Sequence, residues 1–187
     1  MGLKEKTCKS CRQKFTPTRP MQSACSTACA IAIAERKREK QAQQEEARRR
    51  KEARQRLESM KGIPELIREA DKAFCAFIRA RDSGKPCICC GRSSSGWSRG
   101  GDWDAGHYRS RGAASHLRYH EDNCHSQLKQ CNRRAFDVAS YRRNLIERIG
   151  IARVEALEND NGTHKWTRDE LKMIKAEYIR KRKDIEA

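Results

Sequence analysis

The residues best suited to chemistry are ten cysteines, eight of them at ligand-like spacings. Cys8 and Cys11 form a Cys-x-x-Cys pair, Cys25 and Cys29 a Cys-x-x-x-Cys pair, and Cys87 and Cys90 a second Cys-x-x-Cys, with Cys124 and Cys131 further on. Zinc takes four soft ligands in a tetrahedron, and two such turns complete a site. The spacing predicts a closed structural zinc on Cys8, Cys11, Cys25 and Cys29, with no open position and no catalytic role. A second zinc is expected on Cys87, Cys90 and Cys131, with Cys124 or His125 as its fourth ligand. Cys75 and Cys89 are left over. The first residues, MGLKEKTCKS, carry no apolar signal region, which favours a reducing compartment and metal over disulfides.

Between and just beyond the second set of cysteines stand Asp104, His107, Asn123 and Asn132. Phosphodiester hydrolysis needs a base to activate water, and a divalent cation fixed by hard oxygen ligands to neutralise developing charge. His107, with an ordinary pKa of about 6.5, suits the base, and the oxygens of Asp104 and Asn132 suit magnesium. Arg92, Arg99, Arg109, Arg111, Arg118, Arg133 and Arg134 surround these residues and could meet phosphates.

These residues need elements to place them, and the sequence divides into three. Residues 1–34 hold four cysteines and few large apolar side chains, so they form a knuckle that folds around an ion. Residues 35–61 form a charged helical linker: from Glu35 to Arg56 almost every residue is Glu, Lys, Arg, Gln or Ala, and Glu45–Arg49, Glu46–Arg50 and Glu52–Arg56 are i,i+4 pairs. The linker lacks the apolar seam of a coiled coil. Residues 62–187 form the third part. Gly62 breaks the linker and Pro64 opens a helix whose Leu66, Ala70, Phe74 and Ile78 recur at helical spacing as core. Residues 85–135 lose that period. It returns near Phe136 with Tyr141, Leu145 and Ile149, is interrupted at Gly150, and resumes with Val154 and Leu157. Thr167-Arg168-Asp169-Glu170 is a capping box opening a last helix with Leu171, Ile174 and Tyr178 on one face.

Composition narrows the function. Hydrophobic and charged residues each make up 36% of 187, which disfavours one large apolar core. Forty-two Lys and Arg against twenty-five Asp and Glu leave a net charge of +17, and the pI near 9.8 points to a polyanion, nucleic acid first. Aromatic residues, at 6%, are too few for an extended base-stacking platform, so backbone and shape recognition are favoured. No run approaches the length of a membrane span, and Lys6 stands where a myristoylation signal needs Ser or Thr.

Taken in order, Cys87-Ile88-Cys89-Cys90-Gly91, Asp104-Ala105-Gly106-His107-Tyr108, Asn123-Cys124-His125-Ser126-Gln127 and Cys131-Asn132 resemble the lambdoid phage recombination protein NinG (Rap) family. The N-terminal cysteine pairs, the charged helix, the Tyr141-Arg142 to Ile149-Gly150 stretch, His164-Lys165-Trp166-Thr167 and Lys175-Ala176-Glu177-Tyr178 are similar too, so nearly the whole chain is covered. The resemblance implies a structure-specific DNA endonuclease of phage recombination, acting on branched DNA such as Holliday junctions and D-loops in the cytoplasm of a bacterial host. The central segment is also similar to the HNH or ββα-metal nuclease unit in its zinc-stapled form. Carried over by motif, His107 is the general base, and Asp104 and Asn132 ligate the catalytic magnesium or manganese. HNH units usually set the acidic residue beside the histidine, whereas two residues intervene here, and His107 could itself bind the cation.

The fold expected is α+β and mostly helical: a zinc-bound knuckle, a charged helical spacer, and an HNH-like domain whose β-hairpin and zinc turns are braced by helices. Arg109, Arg111, Arg118, Arg133 and Arg134 are the DNA-binding candidates. Expected partners are branched or single-stranded DNA, a phage single-strand annealing recombinase and a second copy of the chain in a homodimer. Two departures from the family pattern stand out. Gln-Cys-x-x-Cys-Asn is expected where this chain has Gln127-Leu128-Lys129-Gln130-Cys131-Asn132, and a Lys-Ser-Gly-Asn stretch is replaced by Arg133-Arg134-Ala135-Phe136-Asp137. The alternative to an enzyme is therefore a non-catalytic module that binds branched or single-stranded DNA and assists a recombinase.

Overall fold

In a computed structural model of the chain, which describes residues 3–93, 101–133 and 137–187, the fold is α+β and mostly helical. Six helices and two small two-stranded sheets occur among the described residues. The chain divides into two compact units, Met1–Met60 and Lys61–Ala187.

In the first unit a short antiparallel hairpin pairs β1 (Lys6–Thr7) with β2 (Lys14–Phe15), and the tight turn between them puts Arg12 at φ 63°. Cys8 and Ala24 are its buried hydrophobic side chains, too little apolar surface to hold a fold by itself. Helix α1 runs from Thr27 to Met60, beginning well before the expected Glu35 and taking Cys29 into its first turn. The cause is local: the Ser26 hydroxyl accepts from the Cys29 amide at 3.2 Å as a cap, and alternate alanines to Ala34 favour helix. Knuckle and spacer are thus one unit. The 34 residues make a helix of roughly 51 Å with no buried side chain. Arg49 pairs with Glu45 and Arg50 with Glu46, while Glu52 pairs back to Arg48 at 3.6 Å.

The second unit opens with α2 (Ile63–Arg81), capped at Gly62 with Pro64 in its first turn. Its stripe of Leu66, Ala70, Phe74 and Ile78 packs against Leu171 and Tyr178 of α6 (Arg168–Glu186). Phe74 meets the Tyr178 ring edge-on at 4.8 Å, and Thr167 with Glu170 forms the anticipated capping box. A second core gathers Ile88, Tyr141, Leu145, Val154 and Leu157, bringing α4 (Val138–Ile149) and α5 (Ile151–Asn159) over the cysteine turn at residues 87–90. Asp137 caps α4, and Gly150, at φ 87°, makes the corner between α4 and α5.

Against both cores lies an antiparallel hairpin, β3 (Trp103–His107) with β4 (Cys124–Leu128), in the register Asp104↔Gln127, Gly106↔His125 and His107↔Cys124. The short helix α3 (Lys129–Arg133) follows β4 directly. At Gly106 an added Cβ would lie 1.9 Å from Oε1 of the buried Gln127 side chain, which would have to move to admit it. No described helix is long and apolar enough to cross a membrane.

Candidate functional site

The Sγ atoms of Cys8, Cys11, Cys25 and Cys29 all lie within 4.8 Å of one another, with Cys11–Cys25 at 3.5 Å and Cys25–Cys29 at 3.6 Å. Neighbouring thiolates around a zinc with bonds near 2.3 Å stand about 3.8 Å apart, so this cluster can hold such an ion. The thiols share protons unequally: the N–H of Cys11, joined by those of Cys25 and Ser10, lowers Cys8 to about 6, while hydrogen bonding with Cys11, Cys29 and Cys8 raises Cys25 to about 12.

The second cluster contains Cys87, Cys90 and Cys131, likewise within 4.8 Å, and it too can hold a metal ion. Asn144 of α4 anchors the turn by donating to the carbonyls of Ile88 and Cys89 at 2.8 and 3.1 Å. The Leu128 amide donates to Cys87 Sγ at 3.2 Å, and the Arg92 guanidinium donates to Cys90 Sγ at 3.5 Å. Burial opposes ionisation of Cys90, but the Arg92 side chain and backbone outweigh it and bring the thiol to about 7.

Neither expected fourth ligand belongs to this cluster. Cys124 pairs across the hairpin with His107, so both project from the same face, and Cys124 Sγ lies 3.7 Å from His107 Nδ1. Burial raises this thiol well above its usual range. His125, the next residue, projects from the opposite face. Its Nδ1 lies 3.0 Å from Arg81 Nη2 and 3.4 Å from Asp82 Oδ2, in a network that also holds Arg148. The Asp82 carboxylate is buried yet held well below the usual carboxylate range by His125, Arg81 and the Ser126 amide.

Asp104 and Asn132 touch each other, and His107 borders the same cleft. With Cys75, Arg79, Ser110 and Arg111 they line this open cleft of roughly 350 Å³. Asn132 Nδ2 donates to Asp104 Oδ2 at 3.1 Å, and Arg133 Nε reaches the same oxygen at 3.1 Å. His107 Nε2 lies 2.9 Å from the Arg118 carbonyl, which only accepts, so Nε2 carries the hydrogen and Nδ1 of the neutral ring holds the lone pair. Burial lowers the His107 pKa from its ordinary 6.5, against the pull of that carbonyl. Asn123 is structural: it accepts from the Arg109 amide and donates to the Arg109 and Leu117 carbonyls.

The arginines divide. Arg109 spends its guanidinium on the Leu157, Glu158 and Asp160 carbonyls and on Asn161 Oδ1. Arg118 is likewise withdrawn by a two-pronged pair with Asp71 at 2.8 and 2.6 Å. Arg111 shares Asp71 but stays half exposed on the cleft, and Arg133 is exposed beside Asp104. Arg99 and Arg134 lie outside the described residues.

Three cleft residues escaped the sequence reading, Cys75, Arg79 and Ser110, and only the first two left a signal. The available signal was Asp71, Cys75 and Arg79 at intervals of four, a polar face of α2 beside the apolar stripe.

All of residues 1–187 match the family described as NinG: Bacteriophage Lambda NinG protein. The chain belongs to the NinG family. The protein ninG of Salmonella phage P22 is 41% identical over 187 residues, covering 94% of this chain and 90% of its own length. That of Escherichia phage lambda is 39% identical, covering 94% and 89%. That of Escherichia phage 933W is 43% identical over 120 residues, covering 64% and 57%. No solved structure matches this NinG chain.

Proposed function

We propose that this NinG chain is a structure-specific DNA endonuclease that hydrolyses phosphodiester bonds in branched DNA, including Holliday junctions and D-loops, with magnesium or manganese. The observation that carries the reading is that Asp104, His107 and Asn132 line one cleft, with Asp104 and Asn132 in contact. A strand with an acid and a histidine, a paired second strand and a short helix bearing an asparagine support an HNH or ββα-metal unit. The cysteine turn at residues 87–90, joined to Cys131 of that helix, supports its zinc-stapled form.

The donor set fits a hard cation. Asp104 and the Asn132 amide lie 3.1 Å apart, close to the spacing of about 3 Å between adjacent oxygens around a cation bound at ~2.1 Å. Turning the Asn132 amide presents its oxygen instead of its nitrogen, and these two residues would then hold the ion. The cation would neutralise charge developing on the scissile phosphate. His107, its Nε2 held by the Arg118 carbonyl and its Nδ1 beside the Cys124 thiol, would have to turn its ring toward the cleft to take a proton from the attacking water. Arg79 and Arg111 at the cleft rim would attract the phosphate.

Two observations favour the second reading, a module that binds branched or single-stranded DNA for a recombinase: Arg133 and Asn132 already engage Asp104, and the Cys124 thiol faces the His107 lone pair. Cutting of a labelled four-way junction, compared with linear duplex and single strand, separates the two. The endonuclease predicts junction-selective cleavage in magnesium or manganese, stopped by chelator and by Asp104→Asn with zinc content retained. Tight binding without cutting in either cation would leave the binding module.

A further inference from the structure

The second cysteine cluster is one ligand short. Its three Sγ atoms are grouped tightly enough for one ion, yet no other Cys, His, Asp or Glu joins them among the described residues. The remaining stretches cannot supply one: residues 1–2, 94–100 and 134–136 contain no Cys, His, Asp or Glu. Each nearby alternative is engaged elsewhere. Cys124 lies beside His107, His125 beside Asp82, and the buried Cys89 turns toward the Asp137 carbonyl at 3.9 Å. The Leu128 amide touches Cys87 Sγ, and the Leu128 side chain offers no donor.

Structural zinc sites are closed by four protein ligands, whereas three protein ligands leave a position for solvent or another exogenous donor. We propose that the Cys87, Cys90 and Cys131 centre is a three-thiolate zinc site with an open fourth position, which takes water and exchanges it for an added soft ligand, for which 2-mercaptoethanol is the probe. Access comes from the Cys90 side, where that cysteine is exposed. The Arg92 guanidinium beside Cys90 supports the net negative charge of three thiolates on one zinc ion. The consequence is an unequal pair of metals in one chain, a closed ion at Cys8, Cys11, Cys25 and Cys29 and an exchangeable one under α4. This inference does not depend on whether the chain cuts DNA.

Cobalt(II) substitution of the chain tests it, because cobalt adopts the tetrahedral geometry of zinc and its visible spectrum reports the ligand set. The first centre is silenced with Cys8→Ala and Cys11→Ala so that the second is read alone. Addition of 2-mercaptoethanol should shift the bands of the second centre, and Leu128→Cys, which completes Cys-x-x-Cys with Cys131, should abolish that response. In the otherwise unaltered chain two zinc ions should leave to a chelator in a fast and a slow phase. Leu128→Cys should slow the fast phase by about tenfold or more, the scale on which even groups that merely touch a zinc ligand act. A spectrum that ignores the thiol would overturn the proposal, as would a single metal per unaltered chain. A response that appears only in Cys89→Ala would assign the fourth position to Cys89 and overturn it equally.

Discussion

His107 has a neutral ring at pH 7, with Nε2–H committed to the Arg118 carbonyl and burial opposing protonation. Because the folded pKa lies below the unfolded value near 6.5, the folded form binds fewer protons between the two, and stability falls as pH drops below about 6.5. Buried His125 is lowered in the same direction and adds to the effect. The proposed base is therefore available throughout the neutral range. Junction cleavage should be level from about pH 8 to 6.5 and decline only below, measured under single-turnover conditions. An acid limb centred above 6.5 would remove His107 as the base. The sequence pointed to His107, Asp104 and Asn132 through residue type, but Cys124 and His125 were inseparable by spacing. Strand register separates them, because adjacent residues on β4 face opposite ways.

At the scale of elements, the hairpin that carries Asp104 and His107 packs the buried Gln127 side chain over Gly106. Gly106→Ala should lower stability by about 1–3 kcal/mol through crowding against buried Gln127, and cleavage should fall with it; denaturant titration and activity measured together check this. The joint between α2 and β4 rests on Asp82, which pairs with Arg81 and Lys85 and accepts from the Ser126 amide. Removing one partner from such a buried network costs about 3–5 kcal/mol, so Asp82→Ala should lower the unfolding free energy by that order. A change below about 1 kcal/mol, within the range of ordinary surface substitutions, would contradict this account of the joint. The apolar stripe of α2 and the capping box of α6 were legible because periodicity and caps are local signals. The start of α1 was missed because its Ser26 cap and alternating alanines precede the charged run. The polar face of Asp71, Cys75 and Arg79 was hidden because a stripe identifies the core side without saying what the opposite side meets.

For the whole molecule, the net charge of +17 overstates what faces a ligand. Arg109 and Arg118 spend their donors inside the second unit, whereas α1 carries ten Lys and Arg against six Glu with no buried residue. Junction affinity should fall about 10³-fold or more between ~50 and ~200 mM salt if six or more phosphates are contacted. Fluorescence anisotropy would show it, and a salt-independent affinity would contradict backbone recognition. Composition gives only the expectation of a polyanion, and the folded contacts distinguish arginines with free donors from those that hold the chain together.

The most direct test of the central claim compares the unaltered chain with His107→Ala on a labelled four-way junction in magnesium or manganese, with zinc content and thermal unfolding measured on both proteins. The account predicts junction-selective cleavage that drops by about 10²–10⁴-fold in the variant while zinc and fold are retained. Cleavage undiminished by His107→Ala would contradict it, as would junction binding without any cleavage by the unaltered chain.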